Sequence, residues 1–347
     1  MDKVTIKKIP KKILVIKPGS LGDIVHSLPF LHVMKDTFPR AEIHWIVSRG
    51  LEGLLQNNPM VKKLWIINKD QWKNPGKIKE TVSEVKTLFR ELKRETYDIA
   101  VDLQGLLRSG LLANASHAPV RVGFKEAREG SRLFYTHRIR GGRDVHAVDR
   151  YLKVASSLGC EIDEIKFPMP LIKESEKVKN VKNNMGKYAV IVSGARWKTK
   201  RWLPERFGKL AYMLNIKSIV VGSTADAKIS KEIEAMSGGK AVSMAGLTDL
   251  GELISLIRGA TYVVTNDSGP MHIAAAFNIP TVAIFGPTSP VRTGPYGRNN
   301  IIVKGGTSCA PCYKRECRHI RCMKEVSVEQ VYEAVKTVTG NKWQVRS

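Results

Sequence analysis

No stretch of this chain is long and apolar enough to span a bilayer, because every hydrophobic run falls short of the ~18 residues that a crossing helix needs. The run Ile13-Leu14-Val15-Ile16 is also too short for the core of a secretory signal, so a cytoplasmic protein is expected. Acidic residues are scarce, with 32 Asp and Glu against 57 Lys and Arg, a net charge of +25. That imbalance points to a polyanionic partner: nucleic acid, an anionic membrane surface or a phosphorylated substrate. Aromatic residues make up 7% of the chain, and no aromatic-rich RNA-binding signature accompanies the basic segments.

Complete nucleotide-binding fingerprints are missing as well. Lys17-Pro18-Gly19-Ser20-Leu21-Gly22-Asp23 follows an apolar run but satisfies neither the Walker nor the dinucleotide pattern. No D-x-D pair suited to magnesium is present, and Asp98, Asp102, Asp163 and Glu164 are scattered acids. Four of the five cysteines cluster as Cys309-x2-Cys312-x4-Cys317-x4-Cys322, which does not repeat the paired spacing of a zinc ribbon. A thiol-rich structural loop without metal is the expectation there, and Cys160 reads as a buried apolar residue.

What is present is an alternation of short β-branched runs with helical patterns, the signature of a parallel sheet wound with helices. In the first half the strands are Lys12–Ile16, Glu42–Val47, Leu64–Ile67 and Tyr97–Leu103, with helices over Asp23–Phe38 and Thr81–Glu95. Strands at Tyr188–Val192, Ser218–Gly222, Tyr262–Thr265 and Thr281–Phe285 form a second set. The 347 residues suffice for two domains of roughly 150 residues. The prolines of Lys166-Phe167-Pro168-Met169-Pro170-Leu171 suggest the boundary, giving domains at 1–170 and 171–347, with a last helix, Val328–Val338, that packs on either one.

The densest signal is Thr265-Asn266-Asp267-Ser268-Gly269-Pro270-Met271-His272-Ile273-Ala274-Ala275-Ala276. A buried strand runs into a helix start there, with Asp267 and Ser268 as capping types and Pro270 in the first turn. Free N–H groups of Ser268, Gly269 and Met271, together with the helix dipole, form a place for a phosphate or diphosphate. His272 is either a packed helix residue or a phosphate contact. Asp267 either caps the helix or accepts hydrogen bonds from ligand hydroxyls. Asp23 likewise either caps its helix or, ionised at neutral pH, takes a proton from a substrate hydroxyl.

The run from Asn266 to Gly297 resembles the ADP-heptose:lipopolysaccharide heptosyltransferases, inverting glycosyltransferases of family 9. The likeness extends from Ile13 to Met323. It is strongest to the heptosyltransferase I branch through Asp102–Ser109, Arg121–Phe124, Ala127–Glu129, Leu133–Tyr135 and His146–Arg150. The resemblance implies an α/β GT-B fold, two Rossmann-like domains facing across a cleft, the first binding acceptor and the second the nucleotide sugar. It implies Asp23 as base and Lys200 as the diphosphate cation, although Leu203 between Trp202 and Pro204 leaves Lys200 and Arg201 as alternatives. Donor contacts are expected from Ser193, Arg196, Asp226, Thr248, Asp267, Ser268, Gly269, Met271 and His272, with Asp226 near the ribose. Acceptor contacts are expected from Ser20, Gly22, Arg108, Arg128 and Arg132, since Arg121 to Arg150 holds eight Lys/Arg and four Asp/Glu.

The implied reaction moves heptose from ADP-L-glycero-β-D-manno-heptose to Kdo on lipid A, with no cofactor and no metal, at the inner face of the inner membrane. Alternatives are a heptosyltransferase II, another GT-B transferase or epimerase, and, more distantly, a nucleic-acid-binding protein with a cysteine metal module.

Overall fold

The computed structural model describes residues 3–68, 71–73 and 75–340. The chain divides between Leu171 and Ile172 into two compact units. The first begins with β1 (Lys12–Ile16), α1 (Leu21–Thr37), β2 (Glu42–Ser48), β3 (Lys63–Ile67), α2 (Ile78–Arg94) and β4 (Ile99–Asp102). It continues with α3 (Leu107–Ala115), β5 (Val120–Phe124), β6 (His137–Ile139) and α4 (Ala147–Ser157). The six strands form one parallel sheet in the order β3-β2-β1-β4-β5-β6. Ile13 to Ile16 are all 0% exposed, because a central parallel strand is covered on both faces and tolerates only an apolar run.

Strand order reverses between β1 and β4, the switch point at which open α/β sheets bind ligands beyond the carboxyl ends of their strands. The register pairs Ile16 with Asp102, so the segments after β1 and β4 leave the sheet side by side. Helix α1 starts two residues earlier than the pattern suggests and carries Pro29 inside it. Two strands and two helices lie in stretches read from sequence only as motifs and basic surface. The short β5 and β6 fall in or beside the segment from Arg121 to Arg150, and β5 is built around Gly123, where a Cβ would come 2.3 Å from the Tyr135 ring.

The second unit runs α5 (Glu176–Met185), β7 (Tyr188–Val192), α6 (Pro204–Met213), β8 (Lys217–Val221), α7 (Ala227–Met236), β9 (Ala241–Ser243) and α8 (Leu250–Arg258). It ends with β10 (Tyr262–Asn266), α9 (Gly269–Ala276), β11 (Thr281–Phe285), α10 (Pro290–Thr293), β12 (Asn300–Lys304), α11 (Arg321–Lys324) and α12 (Val328–Gly340). Its sheet order, β12-β11-β10-β7-β8-β9, repeats the first unit's topology, with the switch point between β7 and β10. The last helix, which the sequence allowed on either domain, packs on α6 and β10 to β12 of this unit through Val328, Val331, Val335 and Val338. No helix among the described residues is long and apolar enough to cross a membrane.

Candidate active site

At the switch point of the first unit, Gly19 holds φ +88°, a conformation open to glycine, and turns the chain from β1 into α1. Ser20 is the N-cap of α1. Its N–H and hydroxyl both donate to Asp23 Oδ2, at 3.0 and 2.9 Å. Lys17 lies 3.5 Å from Asp23 Oδ1; its side chain is 3% exposed, against 37% for Asp23. The buried ammonium donates to the Leu103 carbonyl at 3.2 Å and stands 4.9 Å from the centre of the Tyr151 ring. Loss of hydration alone would push the Asp23 carboxyl up, but the Lys17 charge and the Ser20 hydrogen bonds outweigh it and hold Asp23 below the usual carboxylate range. Lys17 feels the same balance in mirror image: burial opposes its charge, while Asp23 and Tyr151 restore it and leave its pKa raised. An ionised carboxylate, partly open to solvent and steadied from behind by a buried cation, therefore sits at a ligand-binding sheet edge.

Beside it, Asp102 is fully buried and accepts from the Tyr135 hydroxyl (2.5 Å) and the Gln104 and Gly105 N–H groups (2.8 and 3.0 Å). Burial raises its pKa. Its bonds set the path of the segment leaving β4, and the Arg128 N–H donates to the Gly105 carbonyl at 2.9 Å.

In the second unit the corresponding edge carries a cavity of about 380 Å³, lined by Gly194, Ala195, Arg196 and Arg201 after β7, by Gly222, Ser223 and Asp226 after β8, by Thr248 to Leu250, and by Ser268 to Pro270. Asn266, 0% exposed, clips the edge together: its amide donates to the Ser193 carbonyl (2.7 Å) and its oxygen accepts from the Trp202 N–H (3.0 Å). That clip fixes the segment preceding Trp202. Within it, Lys200 forms an ion pair with Asp267 Oδ2 at 2.6 Å and stands 4.7 Å from the centre of the Trp197 ring. The Thr288 hydroxyl, from the loop after β11, donates to the same Asp267 oxygen at 2.5 Å. Ser268 is the N-cap of α9, yet its side chain makes no capping bond, so the helix start is not closed off by its own cap.

The family model for glycosyltransferase family 9 (heptosyltransferase) matches residues 85–322, more than half of the chain. The chain belongs to glycosyltransferase family 9. The lipopolysaccharide core heptosyltransferase OpsX of Haemophilus influenzae is 27% identical over 85% of this chain and 84% of its own. Lipopolysaccharide heptosyltransferase 1 of Pseudomonas aeruginosa is 29% identical over 89% and 88%. Among solved structures, the heptosyltransferase WaaC of E. coli with ADP superposes with a TM-score of 0.77 over 94% of this chain and 99% of that one, at 22% identity. The two parallel six-stranded sheets are thus those of the GT-B fold.

In this family 9 glycosyltransferase the residues named from sequence separate into groups. Arg196, Asp226, Thr248, Ser268 and Gly269 line the cavity, and Lys200 meets Asp267 at the start of α9. Asp267 does not cap α9: a cation and a hydroxyl draw its carboxylate aside, and its own N–H goes to the Ile284 carbonyl at 3.2 Å. Asp226 is partly engaged, with an Oδ1 that accepts no hydrogen bond. Its Oδ2 takes the Ser223 N–H and hydroxyl (3.0 and 2.6 Å) and its Oδ1 pairs with Arg201 at 3.1 Å. The Arg201 Nε donates to the Ala195 carbonyl at 2.8 Å, so Lys200 and Arg201, alternatives in the sequence, point to different partners. Met271 as a whole is 0% exposed, packs with Ala283 and Phe285, and is not among the residues that line the cavity. His272 is 6% exposed. Ser193 is 2% exposed and its hydroxyl has no hydrogen-bond partner.

Of the acceptor set, Ser20 is engaged by Asp23, Gly22 is buried in the first turn of α1, and Arg108, Arg128 and Arg132 are exposed. Lys17, Asn266 and Thr288 were missed as site residues. A buried lysine and a buried asparagine acquire meaning only from the strands that converge on them. Among the described residues, no group of three or more His, Cys, Asp or Glu is arranged to hold a metal ion.

Proposed function

We propose that this protein transfers heptose from ADP-heptose to the Kdo residue of a lipid-linked lipopolysaccharide inner core, at the cytoplasmic face of the inner membrane. The observation that carries the reading is the Lys200–Asp267 pair at the uncapped start of α9, beside a cavity of about 380 Å³, in a family 9 chain. A nucleoside diphosphate fits that chemistry: the N–H groups of Ser268 and Gly269 and the Lys200 ammonium receive the charge that develops on the leaving diphosphate. Ser193 supplies a buried hydroxyl that no protein group uses, and Arg196 and His272 complete the phosphate contacts. Thr248 lies on the nucleoside side of the cavity. The N-terminal unit holds the acceptor, and the C-terminal unit the donor.

Asp23 takes the proton of the attacking Kdo hydroxyl as the oxygen bonds to the anomeric carbon and the ADP oxygen departs from the opposite face, inverting the centre. Arg108, Arg128 and Arg132 pair with the acceptor's carboxylate and phosphate groups, for which guanidinium forks are suited.

Steady-state ADP release, with each substrate varied separately, tests the reading. ADP-heptose with a Kdo-bearing acceptor yields ADP, and UDP-sugars yield no UDP. R128Q/R132Q raises the acceptor KM more than the donor KM, and the gap narrows in high salt. Turnover of UDP-sugars alone, or an equal rise in both KM values, would reject it.

A second expectation concerns Lys17. Asp23 acts only when deprotonated, so activity falls as pH drops through its lowered pKa. Removing the Lys17 charge in Lys17→Met leaves only the Ser20 hydrogen bonds to oppose burial and raises that pKa. The acid limb of the kcat/KM profile therefore moves to higher pH in the variant, whereas Lys17→Arg keeps it near the wild-type position. An unmoved limb in Lys17→Met would remove Lys17 from this role.

A further inference from the structure

The cysteine-rich loop that leads from β12 into α11 takes no part in the transfer chemistry, yet it reaches the donor edge of the C-terminal unit from outside. Its base is closed by the Thr307 hydroxyl, which donates to Glu325 at 2.7 Å. Its far end packs on the end of β11: a Cβ at Gly286 would lie 3.1 Å from the sulfur of the buried Cys322. Between these anchors, Tyr313, Lys314 and Arg315 follow Cys312 on the exposed surface.

These three residues touch both segments that supply the partners of Asp267. The Tyr313 N–H donates to the Pro287 carbonyl at 2.7 Å, and Pro287 immediately precedes Thr288. The Lys314 carbonyl accepts from the Thr199 hydroxyl at 2.9 Å, and Thr199 immediately precedes Lys200. The Arg315 guanidinium stands 5.3 Å from the centre of the Trp197 ring, the same ring that the Lys200 ammonium approaches at 4.7 Å. Tyr313 holds φ +55°, uncommon for a bulky side chain, and such a conformation persists where its surroundings over-determine it. Thr199 is 3% exposed, and a buried hydroxyl needs a partner; it finds one in the loop.

A lysine ammonium rides on a flexible four-carbon stem, so it serves a developing charge well only when its backbone and neighbours are held. The Asn266 clip holds the Trp202 end of this segment. The short turn Lys198–Lys200 before it depends on the loop.

We propose that Thr199 and Arg315 are positioning residues for Lys200, the loop clamping the 197–200 turn from outside so that the ammonium keeps its place beside Asp267. The reaction they serve is the transfer proposed above, on which this role rests.

Two measurements test it together: steady-state ADP release and hydrogen exchange of the free protein. Thr199→Val keeps the side-chain shape and loses the hydroxyl, whereas Arg315→Gln removes the cation from Trp197 at an exposed position where the fold is not at stake. Each lowers kcat about tenfold or more, as misplacement of a catalytic group does, while ADP affinity changes less than kcat. Thr199→Ser, with its hydroxyl retained, turns over near the wild-type rate. The Lys200→Ala background separates positioning from support of the fold. A residue that acts through Lys200 has nothing left to place there, so Thr199→Val adds no further loss. An equal loss in both backgrounds would overturn the proposal, as would wild-type kcat in both Thr199→Val and Arg315→Gln. Exchange of the 197–202 amides needs no substrate: it speeds up in Thr199→Val and Arg315→Gln but not in Thr199→Ser, and unchanged exchange in the first two rejects the clamp. Failure of the transfer reading shows separately, as absent ADP release by the wild type, and the exchange result then decides the clamp by itself.

Discussion

Replacing Asp23 with asparagine is expected to lower kcat by about 10²- to 10⁴-fold, the usual contribution of a positioned general base, while ADP still binds. The choice of asparagine matters because Asp23 has two duties. Its Oδ2 accepts the N–H and hydroxyl of Ser20 at the first turn of α1, and losing such a cap costs about 1 kcal/mol of stability. Asparagine retains an oxygen for Ser20 but cannot take a proton from a sugar hydroxyl. Alanine loses both. If Asp23 were only a cap, Asp23→Asn would turn over like the wild type and Asp23→Ala would show mainly a lower Tm. If it is the base, both variants lose turnover alike. Stopped or steady-state ADP release, with calorimetric binding of ADP as the control, separates the two, and a kcat for Asp23→Asn within threefold of the wild type would remove Asp23 from the chemistry.

The α/β architecture was legible because the central strands of both sheets are unbroken apolar runs: Ile13 to Ile16 and Ala189 to Ile191 are 0% exposed, as strands covered on both faces must be. The strand-to-helix junction at Asn266 to Ala276 was legible for a different reason. Capping residue types, an early proline and an alanine-rich run all agree there. Strand β5 escaped notice because Val120-Arg121-Val122-Gly123-Phe124 holds a charge and a glycine, and its fit appears only when the Tyr135 ring lies over Gly123. Strand β6 is three residues long, too short for any periodicity. Side-chain commitments were the least legible. Asp226 reads as a loop acid open to a ribose, yet the turn it closes brings Ser223 back onto it, and Arg201 reaches it across the loop after β7. Lys17 reads as one more cation in a chain with 57 Lys and Arg. Only the convergence of β1, β4 and α4 buries it against Asp23, Leu103 and Tyr151.

Lys200 is the other position where a large loss is expected. Lys200→Ala should lower kcat by about 10²- to 10³-fold, the scale on which a single preorganised donor to a developing anion acts, with weaker ADP binding alongside. The ion pair complicates the reading, since removing the ammonium strands Asp267, which is 6% exposed and left with the Thr288 hydroxyl on its Oδ2. A buried carboxylate without its cation beside the diphosphate position would itself repel the donor. The double variant K200A/D267N separates the two causes. If Lys200 serves only to neutralise Asp267, removing both charges restores donor affinity and turnover. If Lys200 receives the leaving-group charge, the double variant stays slow even where ADP binding recovers, and Lys200→Arg keeps part of the activity. Arg201→Ala serves as the neighbouring control: it frees Asp226 and the Ala195 carbonyl, so its loss should appear in stability and donor KM more than in kcat. A kcat for K200A/D267N equal to that of the wild type would assign the pair to structure alone.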